Sequence, residues 1–65
     1  MTTGEKIKTA RKEFNWSQSR LAREVGISRN SLRRIEDGDS LNMTAKTAVK
    51  IADTLALELN YLLRS

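Results

Sequence analysis

Residues 17–38, S-Q-S-R-L-A-R-E-V-G-I-S-R-N-S-L-R-R-I-E-D-G, decide the fold. Leu21, Ala22 and Val25 stand at i, i+1 and i+4, one face of a helix. Leu32 and Ile35 stand three apart, one face of another. Gly26 lies between them, where the chain must turn and a positive φ brings no steric strain to glycine. Ser17 and Ser28 each precede a helix at the N-cap position, where a hydroxyl can accept from an orphan N–H. The stretch therefore reads as two short helices joined by a sharp turn. Facing away from the apolar side of the second, the candidates that point outward are Arg29, Asn30, Arg33 and Arg34.

The flanks extend the same pattern. Residues 2–14 read as a first helix, with Thr2 and Glu5 at the spacing of a capping box. Gly4 weakens its first turn. Ile7, Ala10, Arg11 and Phe14 fall at i, i+3, i+4 and i+7, a stripe expected to face a core despite the arginine in it. Asn15 suits a left-handed stop, and Trp16 suits a hydrophobic staple packed on the next helix, a core role preferred over ligand stacking. Gly38 ends the third helix, and residues 39–43 form a loop with Leu41 or Met43 turned inward. Thr44 caps a fourth helix whose inward stripe is Ala48, Ile51, Ala52 and Leu55, and residues 57–64 supply a last turn or two of helix, with Leu59, Leu62 and Leu63 apolar. No internal repeat or linker interrupts the 65 residues, which read as one helix-turn-helix-sized domain over 1–65.

Composition supports an all-α bundle and narrows the function classes. There is no proline, cysteine or histidine. Disulfides and cysteine-based metal sites are excluded, and the commonest general base and metal ligand is missing. A chain of this length buries only about 60% of its unfolded surface, so local helical contacts are the economical solution. An enzyme is not expected, because no deep pocket fits, and no cofactor or metal is expected. Asp37 and Asp39 read as helix-end and loop residues. The net charge is +4. Residues 17–34 concentrate it, with Arg20, Arg23, Arg29, Arg33 and Arg34 against Glu24 alone, whereas residues 35–65 are net acidic. Arginine's planar fork matches phosphates and guanine edges. The N-terminus lacks an apolar signal region, and no run approaches the roughly 20 apolar residues of a membrane span, so a soluble, cytoplasmic chain is the expectation.

Gln18, Ala22, Gly26, Leu32 and Ile35 stand at the spacing of the helix-turn-helix in Cro and the repressors of lambdoid phages, and I-A-D-T-L-A-L-E-L-N-Y-L-L at 51–63 resembles that family's fourth helix and its junction with the fifth. The resemblance covers nearly the whole chain. It implies an all-α, compact five-helix lambda-repressor-like fold with the helix-turn-helix at 17–37. It also implies a sequence-specific transcriptional regulator, a repressor by preference, acting on palindromic double-stranded DNA in a bacterial cell or phage-infected host, where it would associate with the nucleoid. In that family the second helix of the motif enters the major groove. Arg29, Asn30 and Arg34 fall where members read base edges. Arg33 suits a phosphate, as do Ser17 and Gln18, the latter matching a glutamine that also braces the first residue of the reading helix. Ser40, Asn42 and Thr44 fall where the family's loop and fourth helix touch the backbone. Arg20 and Arg23 are either contacts or solvated charges.

Arg11 and Glu36 match positions that form an ion pair in several phage repressors; the alternative is that Arg11 reaches out to a phosphate. Members commonly pair as symmetric dimers, which places a dimer surface at Leu57, Glu58, Leu59 and Tyr61, with pairing in solution or only on DNA. The chain is either complete and Cro-like, the DNA-binding part of a longer regulator, or an engineered form. The second function class is a protein-interaction module on the same scaffold, an antitoxin or assembly subunit; the outward arginines argue against it.

Overall fold

Helix starts and stops are written locally in this chain, and the same two devices recur along it. The computed structural model describes residues 1–39 and 43–64. Among them lie α1 (Thr3–Glu13), α2 (Gln18–Val25), α3 (Arg29–Glu36), α4 (Ala45–Thr54) and α5 (Leu59–Leu63), with no strand. The side chains of Thr2, Ser17, Ser28 and Thr44 accept from the backbone N–H of Glu5, Arg20, Ser31 and Thr47, so α1 to α4 all open on a hydroxyl cap. Each such cap contributes about 1 kcal/mol. At α1 the Glu5 carboxylate returns to the Thr2 N–H at 2.8 Å, completing the capping box.

The stops are equally regular. Asn15, Gly26, Gly38 and Ala56 take positive φ values of 60°, 90°, 106° and 57°. The residue after each donates its N–H five residues back: Trp16 to Arg11, Ile27 to Ala22, Asp39 to Arg34 and Leu57 to Ala52, at 2.8–3.1 Å. This is the Schellman closure, which satisfies carbonyls that a helix end leaves unpaired. Trp16, Ile27 and Leu57 then fold back and pack against the core.

That core is Ile7 and Ala10 of α1, Leu21, Ala22 and Val25 of α2, Leu32 and Ile35 of α3, Ala48, Ile51 and Ala52 of α4, with Leu55 and Leu62. The inward stripes expected of α2, α3 and α4 are the ones observed. α1 packs on α3 and α5, and α4 packs on α2 and α5. Met43 is half-buried against the core, while Leu41, Ser40 and Asn42 lie outside the described residues.

Two expectations are corrected. Phe14 does not complete the inward stripe of α1: it is 41% exposed. The helix stops at Glu13 and the chain reverses at Asn15, so the i+7 position no longer faces inward, and the Phe14 ring meets Trp16 edge-on, centroids 5.2 Å apart. The last helix spans Leu59–Leu63 rather than 57–64, because Leu57 is drawn into the closing turn of α4. Of its leucines, Leu62 is fully buried, Leu59 half-buried and Leu63 exposed.

Candidate nucleic-acid interface

α3 is two turns of helix with its two faces fully divided. Leu32 and Ile35 are 0% and 2% exposed and anchor it on the core. Arg29, Asn30, Arg33 and Arg34 are all exposed. Asn30, Arg33, Arg34 and Asp37 line a shallow hollow of about 370 Å³ on the outer surface. Arg33 Nε stands 3.9 Å from Asp37 Oδ2, both side chains 68% exposed, a loose pair that leaves the guanidinium available. The helix thus offers three guanidinium forks and one amide from a single exposed face. Such groups can grip paired acceptors: phosphate oxygens, or the O6 and N7 of guanine.

The seating of α3 is set by a network at its last residue. The Glu36 carboxylate accepts from Arg11 Nε at 2.8 Å, from Arg11 Nη2 at 3.1 Å and from Gln18 Nε2 at 3.1 Å. Arg11 Nη1 donates to the Trp16 carbonyl at 2.8 Å. The structure therefore brings Arg11 and Glu36 together in a bidentate, buried pair, and Arg11 points inward rather than toward solvent. Gln18 is half-buried, and its amide is tied to the end of α3 rather than to Arg29 at its beginning. Among the described residues no buried side-chain nitrogen or oxygen lacks a partner.

The other expected contacts sit as follows. Ser17 is exposed, its hydroxyl accepting from the Arg20 N–H at 3.0 Å. The N–H groups of Gln18 and Ser19 precede the first intrahelical bond, which runs from Leu21 to Ser17, so they face out of the helix start. Thr44 is exposed, and its hydroxyl both accepts from the Thr47 N–H and donates to Thr47 Oγ1. Arg20 reaches Glu24 Oε2 at 3.0 Å and lies over the Trp16 ring at 4.7 Å, while Arg23 is exposed. Glu58 and Tyr61 are exposed, whereas Leu57 and Leu59 are half-buried against this chain's own core.

Sequence reasoning missed two residues that shape this arrangement. Gly4 is buried where α1 crosses the end of α3: a Cβ there would lie 2.5 Å from the Glu36 carbonyl oxygen and 2.6 Å from that of Ile35. Lys6 is 8% exposed. Its signal is present in the sequence, since it is adjacent to Ile7 and four residues before Ala10, on the inward side of α1.

A five-helix bundle with a capped, arginine-bearing second helix in a tight two-helix motif defines a helix-turn-helix protein of the Cro/repressor type, and the chain belongs to the helix-turn-helix domain family, whose model matches residues 4–65. Among related proteins, the cryptic phage CTXphi transcriptional repressor RstR of Vibrio cholerae serotype O1 is 37% identical over 62 residues, an alignment covering 95% of this chain and 54% of RstR. The chain thus spans about half the length of that relative. Among solved structures, the N-terminal DNA-binding domain of SinR from Bacillus subtilis matches with a TM-score of 0.86 at 30% identity, covering 97% of this chain and 91% of that one. The likeness to the Cro and repressor group read from residues 17–38 and 51–63 is confirmed. No helix among the described residues is long and apolar enough to cross a membrane.

Proposed function

We propose that this chain binds double-stranded DNA sequence-specifically and regulates transcription, repressing by occupying an operator. The observation that carries the reading is the division of α3: Leu32 and Ile35 are sealed in the core while Arg29, Asn30, Arg33 and Arg34 are all exposed. A helix held that firmly by one face, with a cationic opposite face, has the form of a major-groove reader. Arg29 and Arg34 each grip guanine O6 and N7, and Asn30 pairs with adenine or a phosphate. Arg33 takes a phosphate. At the start of α2, Ser17 and the free N–H groups receive another, with the helix dipole adding its attraction. Gln18 serves the backbone indirectly, by holding α3 through Glu36. Thr44, Ser40 and Asn42 extend the backbone contact on the far side. RstR, named as a transcriptional repressor, and the SinR domain, named as DNA-binding, support the class.

Two copies occupy a palindromic operator, paired through Tyr61 and Glu58 at the surface of α5 with Leu57 and Leu59 beneath them. The test is selection of bound duplexes from a random pool, followed by affinity measurements on the selected site. Arg29→Ala or Arg34→Ala is expected to lose about 1–3 kcal/mol and to relax one base position, while Arg33→Ala weakens all sequences alike and lowers the salt slope by about one. If all three variants discriminate and bind as the parent does, α3 is not the reading helix. Retained affinity for a protein partner with none for DNA would favour the interaction-module class.

A further inference from the structure

Of the five described helices, α5 is the least able to stand alone. It has five residues, and Glu58 at its start makes no side-chain cap. Its far end is held by another helix. Thr3 Oγ1 donates to the Leu62 carbonyl at 2.9 Å. Lys6 Nζ donates to the Tyr61 carbonyl at 2.6 Å and also to that of Arg64. The same ammonium lies 4.4 Å from the centre of the Tyr61 ring. A lysine that is 8% exposed has given up most of its water, and here carbonyl oxygens at the negative end of a helix and an aromatic face replace it. Two residues of α1 thus cap the carbonyls of Tyr61 and Leu62 at the end of α5 and that of Arg64 just beyond it.

The same α1 is fastened to α3. Gly4 permits contact with the Ile35 and Glu36 carbonyls, and Arg11 holds the Glu36 carboxylate. Residues 3 and 6 bind α5; residues 4 and 11 bind α3. α1 is therefore the rigid arm between the helix that carries the exposed arginines and the helix that carries exposed Tyr61 and Leu63.

We infer that Lys6 is the positioning residue that fixes α5 relative to α3, and so sets the half-site spacing that two paired copies of this chain accept. This rests on the DNA-binding, dimeric reading above. In a two-fold pair joined at α5, the distance between the two α3 helices is the half-site separation, and one base pair is about 3.4 Å of helix axis. At about 10–10.5 base pairs per turn that step also rotates the half-site by about a tenth of a turn, so a short helix released from Lys6 blurs the register by a base pair when it shifts and swings by those amounts.

The test uses duplexes built from half-sites that the parent selects from a random pool, with the spacing varied one base pair at a time, alongside a single half-site. The parent is expected to show a sharp optimum. Lys6→Met should flatten it, lowering the ratio of optimal to off-optimal affinity by about tenfold, with single-half-site affinity unchanged. Lys6→Arg, which keeps charged donors on a long stem, should restore the optimum. If Lys6→Met fails to fold, Thr3→Val removes the donor to the Leu62 carbonyl alone and should flatten the profile in the same direction. A Lys6→Met profile as sharp as the parent's, or a loss at the half-site equal to the loss at the optimum, overturns the inference. A flat profile for the parent itself instead overturns the dimeric reading on which it rests.

Discussion

Three donor groups, two of Arg11 and one of Gln18, converge on the Glu36 carboxylate in a place with little water. Its side chain is 1% exposed and that of Arg11 is 9% exposed. Within the pair desolvation offsets attraction, but removing one partner strands the other charge. Glu36→Ala should therefore cost roughly 3–5 kcal/mol, a large share of the total for a chain this size, which is about 3–10 kcal/mol. A urea titration followed by circular dichroism reads this directly, and an unchanged midpoint would rule out a stabilising role for the pair. Replacing both residues, Arg11→Met with Glu36→Leu, should recover much of the loss, because no unpaired charge then remains buried. Gly4 shows the opposite kind of residue. In the sequence it is only a weak helix former near a helix start. Its reason lies 31 to 32 positions away, at the carbonyls of Ile35 and Glu36, and nothing local announces it.

At the scale of helices, legibility follows distance along the chain. Caps and stops are settled within six residues, so Thr2, Ser17, Ser28, Thr44, Asn15, Gly26 and Gly38 were all readable. The buried stripes were readable because a period of 3.6 repeats within each helix. What was not readable is how one helix end meets another. Lys6 meets carbonyls 55 and 58 positions on, and the outward turn of Phe14 depends on a stop one residue earlier than the stripe suggested. The Gln18 amide meets the last residue of α3 rather than the first, and nothing within α2 decides between the two ends. Two tests belong at this scale. Ala56 holds φ 57° where α4 closes, a conformation that costs a residue with a Cβ about 1–2 kcal/mol. Ala56→Gly should therefore raise stability by up to about 1 kcal/mol after the entropy lost to glycine, read as a higher melting temperature. At α1, the Glu5 carboxyl sits below its ordinary 4.5, first because it accepts from the Thr2 backbone N–H, then through the Thr2 side chain, with the N-terminal charge helping. A lowered folded pKa means the capping box stabilises fully above pH 4.5 and loses that contribution as pH falls through the lowered value. Glu5→Gln, which keeps the hydrogen bond without the titration, should show a shallower decline of melting temperature below pH 4.5. Parallel declines would mean that other carboxylates govern the acid limb.

For the whole molecule, size decides how an operator can be met. The Cα trace measures 25 × 23 × 19 Å. Half-sites on one face of B-DNA are about 34–36 Å apart, more than the chain's longest extent, so the proposed reading calls for one chain at each half-site and two on a palindrome. Charge placement points the same way: the cations of 17–34 cluster on the motif, and residues 35–65 are net acidic, so attraction to phosphate is concentrated on one part of the surface. Affinity carried by phosphates falls with salt at a slope of about 0.9 per phosphate neutralised. Sedimentation of the protein with a selected palindromic duplex should give two chains per duplex, and with a half-site duplex one. The slope of log affinity against log salt for the palindrome should then be about twice that for the half-site, because the second chain brings its own set of phosphate contacts. One chain per palindrome, or equal slopes on the two duplexes, would mean that the arginine face meets DNA singly and that the apolar surface of α5 serves some purpose other than pairing.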